Sequence, residues 1–182
     1  MELSGYQVIL KEVCEDDIEC IRQWRNDPGV SRYMLSQDII SAEQQRTWFN
    51  KIQRDDSQQH FVIHYKNQAI GVANIRACYS GESLKTARAI EPGLYIAREK
   101  YRNNILAFAP TLVLNDYCFE YLACKQLKAV VKGDNLAALN YNQKLGYQIE
   151  KHSESPVELI EIRLNKADYQ QHTVQLKALL SR

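Results

Sequence analysis

Apolar and polar residues alternate from Tyr6 to Val13, a period of two that predicts a first strand. Between 14 and 30 the period lengthens. Ile18, Ile21 and Trp24 form one helical stripe, Asp16 and Asp17 enrich its first turn, and Asp27-Pro28-Gly29 stops it. A second helix is predicted over 41–56, opened by Ser41 and Gln44 in capping-box spacing and carrying Trp48, Phe49 and Ile52. Two β-rich runs, 59–66 and 69–80, flank a turn at Lys66-Asn67-Gln68 and read as an antiparallel hairpin.

After a polar loop from Gly81 to Thr86, a fourth strand is predicted over 87–99, interrupted by Pro92 and Gly93. Residues 106–123 are apolar on most sides and predict a largely buried helix. A β-branched strand follows over 126–133, then a helix capped by Asp134 and closed by Gly146 as its C′ residue. A last alternating strand over 157–164 and a terminal helix over 166–180 complete the pattern. The expectation is one α+β domain spanning 1–182, its first half antiparallel and one βα unit in its middle.

Composition narrows the function classes. A net charge of +1 offers nothing for nucleic acid or an anionic membrane. No apolar run approaches the roughly 20 residues of a bilayer span, and the N-terminus lacks a basic, cleavable leader, so a cytoplasmic protein is expected. The 5 cysteines are odd in number and scattered, which argues against disulfides or a zinc site. His60 and His64 have no further ligands at useful spacing, so no metal is expected.

The break at Pro92-Gly93 carries more information. Proline cannot donate a ladder hydrogen bond, so a bulge is expected there, leaving main-chain groups of Leu94, Tyr95 and Ile96 free for an extended ligand. Arg102 then precedes a helix start, where unpaired N–H groups favour an anion. Any residue except proline supplies such a donor, and glycine is needed only where φ is positive or a Cβ collides.

These features together resemble the GNAT superfamily of acetyl-CoA-dependent N-acetyltransferases, over nearly all of the chain to about Leu164. The family's pyrophosphate turn is Q/R-x-x-G-x-G/A. Arg102 matches its basic lead and Ala107 its last position, while Ile105 stands where glycine is expected. Asn135, Ala138, Lys144, Leu145, Gly146 and Tyr147 match the late motif N-x-x-S/A…K-L-G-F. The resemblance implies a mostly antiparallel mixed sheet splayed at a central strand, with helices on both faces. It also implies acetyl-CoA as co-substrate, held by Leu94, Tyr95, Ile96, Arg102, Asn103, Asn104, Ile105, Leu106, Ala107, Asn135 and Asn142. Asn103 and Asn104 tolerate positive φ and add side-chain donors. With Pro110 at the first helical position, the helix after this turn starts near Ala109.

Residues 24–34, 40–49, 60–72 and 91–96 are similar to a branch acting on nucleotide-linked amino sugars, including an intermediate of pseudaminic-acid synthesis. A histidine common in that branch is replaced by Gln45. The W-R-N-D opening also occurs in enzymes acetylating the N-terminus of ribosomal proteins. A catalytically silent acyl-CoA-binding module is the alternative outside enzymes, suggested by the glycine-free turn and a displaced tyrosine.

The chemistry implied is direct attack by an amine on a thioester. Main-chain N–H groups from Leu94 to Ile96 polarise the carbonyl. Glu91 is the candidate base, directly or through water, unless it is an ion-pair partner of Arg88 or Arg76. The family's acid tyrosine falls at Asn142, with Tyr141 one place earlier and so rotated by about 100°; Tyr141 and Tyr95 are the candidate acids, or core packing. Arg25, Asn26, Tyr33, Met34 and Gln45 are the candidate acceptor lining. The last alternating strand offers a surface for pairing in a homodimer.

Overall fold

The computed structural model describes residues 1–122, 124–153 and 158–182. One 8-stranded sheet runs through it in the order β1-β2-β3-β4-β5-β6-β8-β7. The strands are β1 Glu2–Gly5, β2 Val8–Glu12, β3 Gln58–Tyr65, β4 Gln68–Ala77, β5 Ala89–Ile96, β6 Gln126–Lys132, β7 Gln148–Ser153 and β8 Leu159–Asn165. Every neighbouring pair is antiparallel except β5 and β6. The helices are α1 Ile18–Asn26, α2 Pro28–Ser31, α3 Ala42–Ile52, α4 Ala109–Asp116, α5 Leu136–Lys144 and α6 Lys166–Leu180.

The larger core joins one sheet face to α4, α5 and α6, with Leu10, Phe61, Ile63, Ile90, Leu112, Leu127 and Tyr169 at its centre. On the opposite face, Val13, Ile21, Val62 and Val72 pack with Trp24, Trp48 and Tyr95 beneath α1 and α3. This is the expected α+β architecture with helices on both faces.

The predicted first strand is instead a hairpin. Tyr6 and Gln7 form its turn, with φ of 51° and 71°, the paired left-handed geometry that fits the twist of two short strands. Neither residue type favours that conformation, which costs roughly 1–2 kcal/mol per residue. The turn is held by long-range bonds absent from any local pattern. Tyr6 Oη donates to Asp116 Oδ2 at 2.5 Å and Gln7 Nε2 to the Leu180 carbonyl at 3.2 Å. At the β3–β4 turn, Lys66 and Asn67 take positive φ and Gln68 already belongs to β4.

Several boundaries shift for local reasons. Asp27 stops α1 but also restarts the chain as the cap of α2, its Oδ1 accepting the Gly29 N–H at 2.6 Å. The Ser41/Gln44 capping box of α3 forms as expected. The apolar run from Leu106 begins as a 3-10 turn, Ile105–Phe108, becomes α-helical at Ala109 and ends as a π-helix, Tyr117–Tyr121. Its predicted last residue, Ala123, lies outside the described residues. Asn135, not Asp134, caps α5, and Gly146 closes it with φ 95°.

β7 has no apolar alternation and was not predicted. Its presence changes the status of β8, which is paired on both sides, to β6 and to β7. β8 therefore cannot pair across a dimer as proposed from its pattern. The predicted first residue of that strand, Val157, lies outside the described residues.

Candidate active site

The sheet opens beside β5. This strand pairs with β4 from Ile90 to Ile96, but with β6 only at Ala89 and Ile90. No register shift interrupts its ladder with β4, so the bulge expected at Pro92-Gly93 does not form. The Cys78 N–H donates to the Ala89 carbonyl at 3.0 Å and the Ala97 N–H to the Ile70 carbonyl at 2.8 Å. By the period of two, the odd residues between them face β4 and Pro92, Leu94 and Ile96 face the opening. Pro92 thus lacks its N–H on the side where no ladder exists. Beyond it, Leu94 turns both main-chain groups, and Ile96 its N–H, into the cleft.

At the far end of this edge lies the turn 102–107. Arg102 does not present its charge to a ligand. Its guanidinium donates to the carbonyls of Ile96 at 2.8 Å, Ala97 at 2.6 Å and Gly29 at 3.1 Å, and its own N–H bonds the Glu99 carbonyl. Leu106 and Ala107 are also withdrawn as donors. Leu106 N–H bonds Asn104 Oδ1 at 2.9 Å and Ala107 N–H the Asn104 carbonyl at 3.1 Å. The Asn104 side chain accepts from Leu106 N–H and donates one amide hydrogen to the Lys100 carbonyl. Among the described residues, nothing accepts from the N–H groups of Asn103, Asn104 and Ile105, and all three residues are exposed. None has a positive φ, so the turn has no conformational need for glycine. Ile105 points outward, 43% exposed.

Across from this turn, α5 supplies support. Tyr141 Oη donates to the Ala107 carbonyl at 3.0 Å and shares a second bond with Thr111 Oγ1, while its ring stacks on Phe108 at 4.4 Å. Burial raises its pKa and the bond to Thr111 opposes this, so the hydroxyl stays protonated. Tyr141 is therefore a strut between α5 and the start of α4, and not a proton donor to a ligand. Asn142 Nδ2 bonds back to the Ala138 carbonyl at 2.9 Å, and Asn135 Oδ1 accepts the Ala138 N–H at 3.1 Å. Both asparagines shape α5 with these atoms.

On the α1/α3 side of the sheet, Glu91 and Tyr95 point from the same face of β5. Four residues of strand separate them by about 13 Å, too far for both to serve one small reacting centre directly. Glu91 Oε2 accepts from Arg76 Nη2 at 2.6 Å across the ladder, whereas Arg88 pairs with Glu82. A cleft of about 490 Å³ opens here, lined by Arg76, Cys78, Tyr79, Glu91, Lys128 and Glu150 among others. Its carboxylates Glu82, Glu91, Glu150 and Glu161 outnumber Arg76 and Lys128. Burial pushes the Cys78 thiol up to about 11, which keeps it protonated and excludes a ready thiolate nucleophile.

The Tyr95 hydroxyl has no partner among the described residues and neither does Arg25 Nη1, although both atoms are buried. Burial raises the pKa of the Tyr95 hydroxyl and so holds it protonated, and the nearby Arg25 charge opposes that shift. The other predicted acceptor residues have structural duties. Asn26 clamps Ile40 through both amide ends at 2.9 Å, and Gln45 is only 5% exposed on the inner side of α3. Gln45 is thus withdrawn from any open surface, and Asn26 spends its amide on the backbone. The Met34 carbonyl accepts from Lys132 Nζ at 2.9 Å, and Tyr33 lies 51% exposed with the Arg32 guanidinium 4.7 Å from its ring centre. None of these five residues lines the cleft that contains Glu91.

Sequence reasoning missed Cys78, Tyr79, Lys128, Glu150 and Glu161. Alternation in β6 and β8 marks Lys128 and Glu161 as outward-facing, but only the sheet order puts them beside Glu91. Among the described residues, no group of three or more His, Cys, Asp or Glu is placed to hold a metal, and no helix is long and apolar enough to cross a membrane.

Known proteins share this architecture. The family described as an acetyltransferase (GNAT) domain matches residues 7–148. Acetyltransferase PseH of Campylobacter jejuni is 29% identical over 140 residues, covering 76% of this chain and 81% of that one. The apo structure of FdhC, described as a nucleotide-linked sugar GNAT, superposes with a TM-score of 0.81 at 19% identity, covering 100% and 99% of the two chains. Spermidine N-acetyltransferase from Vibrio cholerae, solved with CoA and spermine, gives 0.76 at 18% identity, covering 91% and 99%.

Proposed function

Because the chain belongs to the GNAT acetyltransferase family, we propose that it transfers acetyl from acetyl-CoA to a primary amine by direct attack, with 1–182 acting as one catalytic domain in the cytoplasm. The observation that carries the coenzyme reading is the set of unpaired N–H groups at Asn103, Asn104 and Ile105, in the turn that follows the open edge of β5. Charge-assisted bonds from such donors are worth roughly 1.5–3 kcal/mol each. These residues hold the pyrophosphate, and the main chain of Leu94 and Ile96 pairs with the extended arm in place of a neighbouring strand. The bound coenzyme supplies an activated acetyl thioester. Leu94 N–H is the donor for its carbonyl. Glu91, fixed by Arg76, takes the proton from the attacking amine through water. Tyr95 is the remaining candidate donor to the sulfur, since Tyr141 is engaged elsewhere.

The acceptor we infer is a nucleotide-linked amino sugar. The likeness to PseH and the overall superposition on FdhC support that class. A polyamine is the second reading, favoured by the excess of carboxylates around the cleft and by the likeness to spermidine acetyltransferases. Measuring CoA release with acetyl-CoA and either a UDP-linked amino sugar or spermidine separates them. Turnover of the sugar at a hundredfold higher kcat/KM is expected, and the reverse order assigns the cleft to a polyamine. Turnover of neither, with acetyl-CoA bound, sends the search to peptide N-termini.

A further inference from the structure

The residue at the basic lead of the phosphate turn is committed to a different task. Arg102 spends its guanidinium on three backbone carbonyls, two at the end of β5 and one in α2. It thereby fastens the α2 segment to the strand along which the coenzyme arm would lie. Asp27 holds the same α2 turn from beneath through the Gly29 N–H. From the opposite lip of the cleft, Lys132 at the end of β6 holds the Met34 carbonyl at 2.9 Å. Between these fastenings and Ile40, the segment presents Tyr33, Leu35 and Ile39 outward, 51%, 71% and 74% exposed.

We propose that Arg102 is a positioning residue that relays occupancy of the adjoining 103–105 cradle to the segment 27–34, which reaches from the end of β5 to the end of β6 across the open edge. The inference rests on the acetyl-CoA reading above. A phosphate bound by the N–H groups of 103–105 fixes the backbone immediately after Arg102. The planar guanidinium fork then fixes Gly29 relative to Ile96. Lysine cannot replace it, because a compact ammonium does not reach three separate carbonyls as a rigid fork does.

The test compares wild type with Arg102→Lys and Gly29→Ala. A methyl at Gly29 would sit 2.9 Å from Asp27 Oδ1 and 3.2 Å from Arg102 Nη1, so it loosens the fastening while the arginine stays. Three quantities are read: acetyl-CoA affinity by calorimetry, the KM for acceptor against kcat, and trypsin cleavage after exposed Arg32 with and without acetyl-CoA. In wild type, acetyl-CoA slows cleavage at Arg32. In both variants, acetyl-CoA binds within about threefold of wild type, cleavage no longer responds to it, and acceptor KM rises about tenfold with kcat nearly kept, within the roughly 5–150-fold usual for coupled sites. Wild type that fails to bind acetyl-CoA overturns the acetyl-CoA reading and this inference together. Wild type that binds, with variants whose acetyl-CoA affinity collapses, makes Arg102 a phosphate ligand and overturns this inference alone. Unchanged cleavage and KM in the variants also overturn it.

Discussion

Glu91 and Arg76 face each other across the β4–β5 ladder with 2.6 Å between Oε2 and Nη2. The side chains are 34% and 57% exposed, so the pair adds only about 0–1 kcal/mol to stability. Its value is orientation. Glu91→Gln is expected to lower kcat/KM by about 10²-fold or more while leaving acetyl-CoA affinity and melting temperature nearly unchanged. Steady-state kinetics beside a thermal melt check this; full activity in the variant removes Glu91 from the mechanism.

Ile105 tests the cradle without disturbing its shape. Asn104 has φ −133° and ψ 173°, a conformation proline accepts in its predecessor, and Ile105 is the first residue of a helical turn. Ile105→Pro therefore deletes little except one N–H and should weaken acetyl-CoA binding by about 10–150-fold, the equivalent of roughly 1.5–3 kcal/mol. Ile105→Gly keeps the N–H and should bind as wild type does. Calorimetry on both decides it, and equal binding by the proline variant would discard the N–H cradle.

Tyr141 and Tyr95 should separate cleanly when each becomes phenylalanine. Tyr141→Phe strips the bonds to Thr111 and the Ala107 carbonyl, with an expected loss of about 1–3 kcal/mol and little change in kcat. Tyr95→Phe removes a hydroxyl with no partner. It should leave stability equal or higher and lower kcat if Tyr95 protonates the sulfur. Denaturant unfolding with single-turnover kinetics distinguishes the two.

His60 sets an acid-side dependence of stability. It packs edge-on against Trp48 and contacts Gln58, and burial lowers its pKa from near 6.5 to about 4; the Asp55 charge opposes this and Arg76 reinforces it. Between those values the unfolded chain binds a proton that the folded chain refuses. Stability is complete above about 6.5 and is lost as pH falls toward 4, by at most about 3 kcal/mol. His60→Gln should flatten that slope in urea melts from pH 7 to 4, and an unaltered slope would assign the dependence to other groups.

The sequence signal at Pro92-Gly93 located the opening in the sheet but suggested the wrong cause. Proline marks a missing donor, yet which side of the strand lacks a partner depends on the parity of pairing with β4. Arg102 was legible as a special position, but its use on Gly29 spans 73 residues of sequence separation. Capping at Ser41 and closure at Gly146 were readable because their partners are local. The Tyr6-Gln7 turn and the cleft residues Lys128, Glu150 and Glu161 were not, since distant elements determine both.

The strand order also fixes a sequence of events during synthesis. The first five strands are neighbours in the order in which they leave the ribosome, so each can add to an edge already formed. β8, by contrast, must slot between β6 and β7, both of which emerge before it. The wall bearing Lys128 keeps an unpaired outer edge until residues 159–165 arrive. A nascent chain halted after β7 would thus be exposed to aggregation on the very side that, in the finished sheet, borders the cleft beside Glu91.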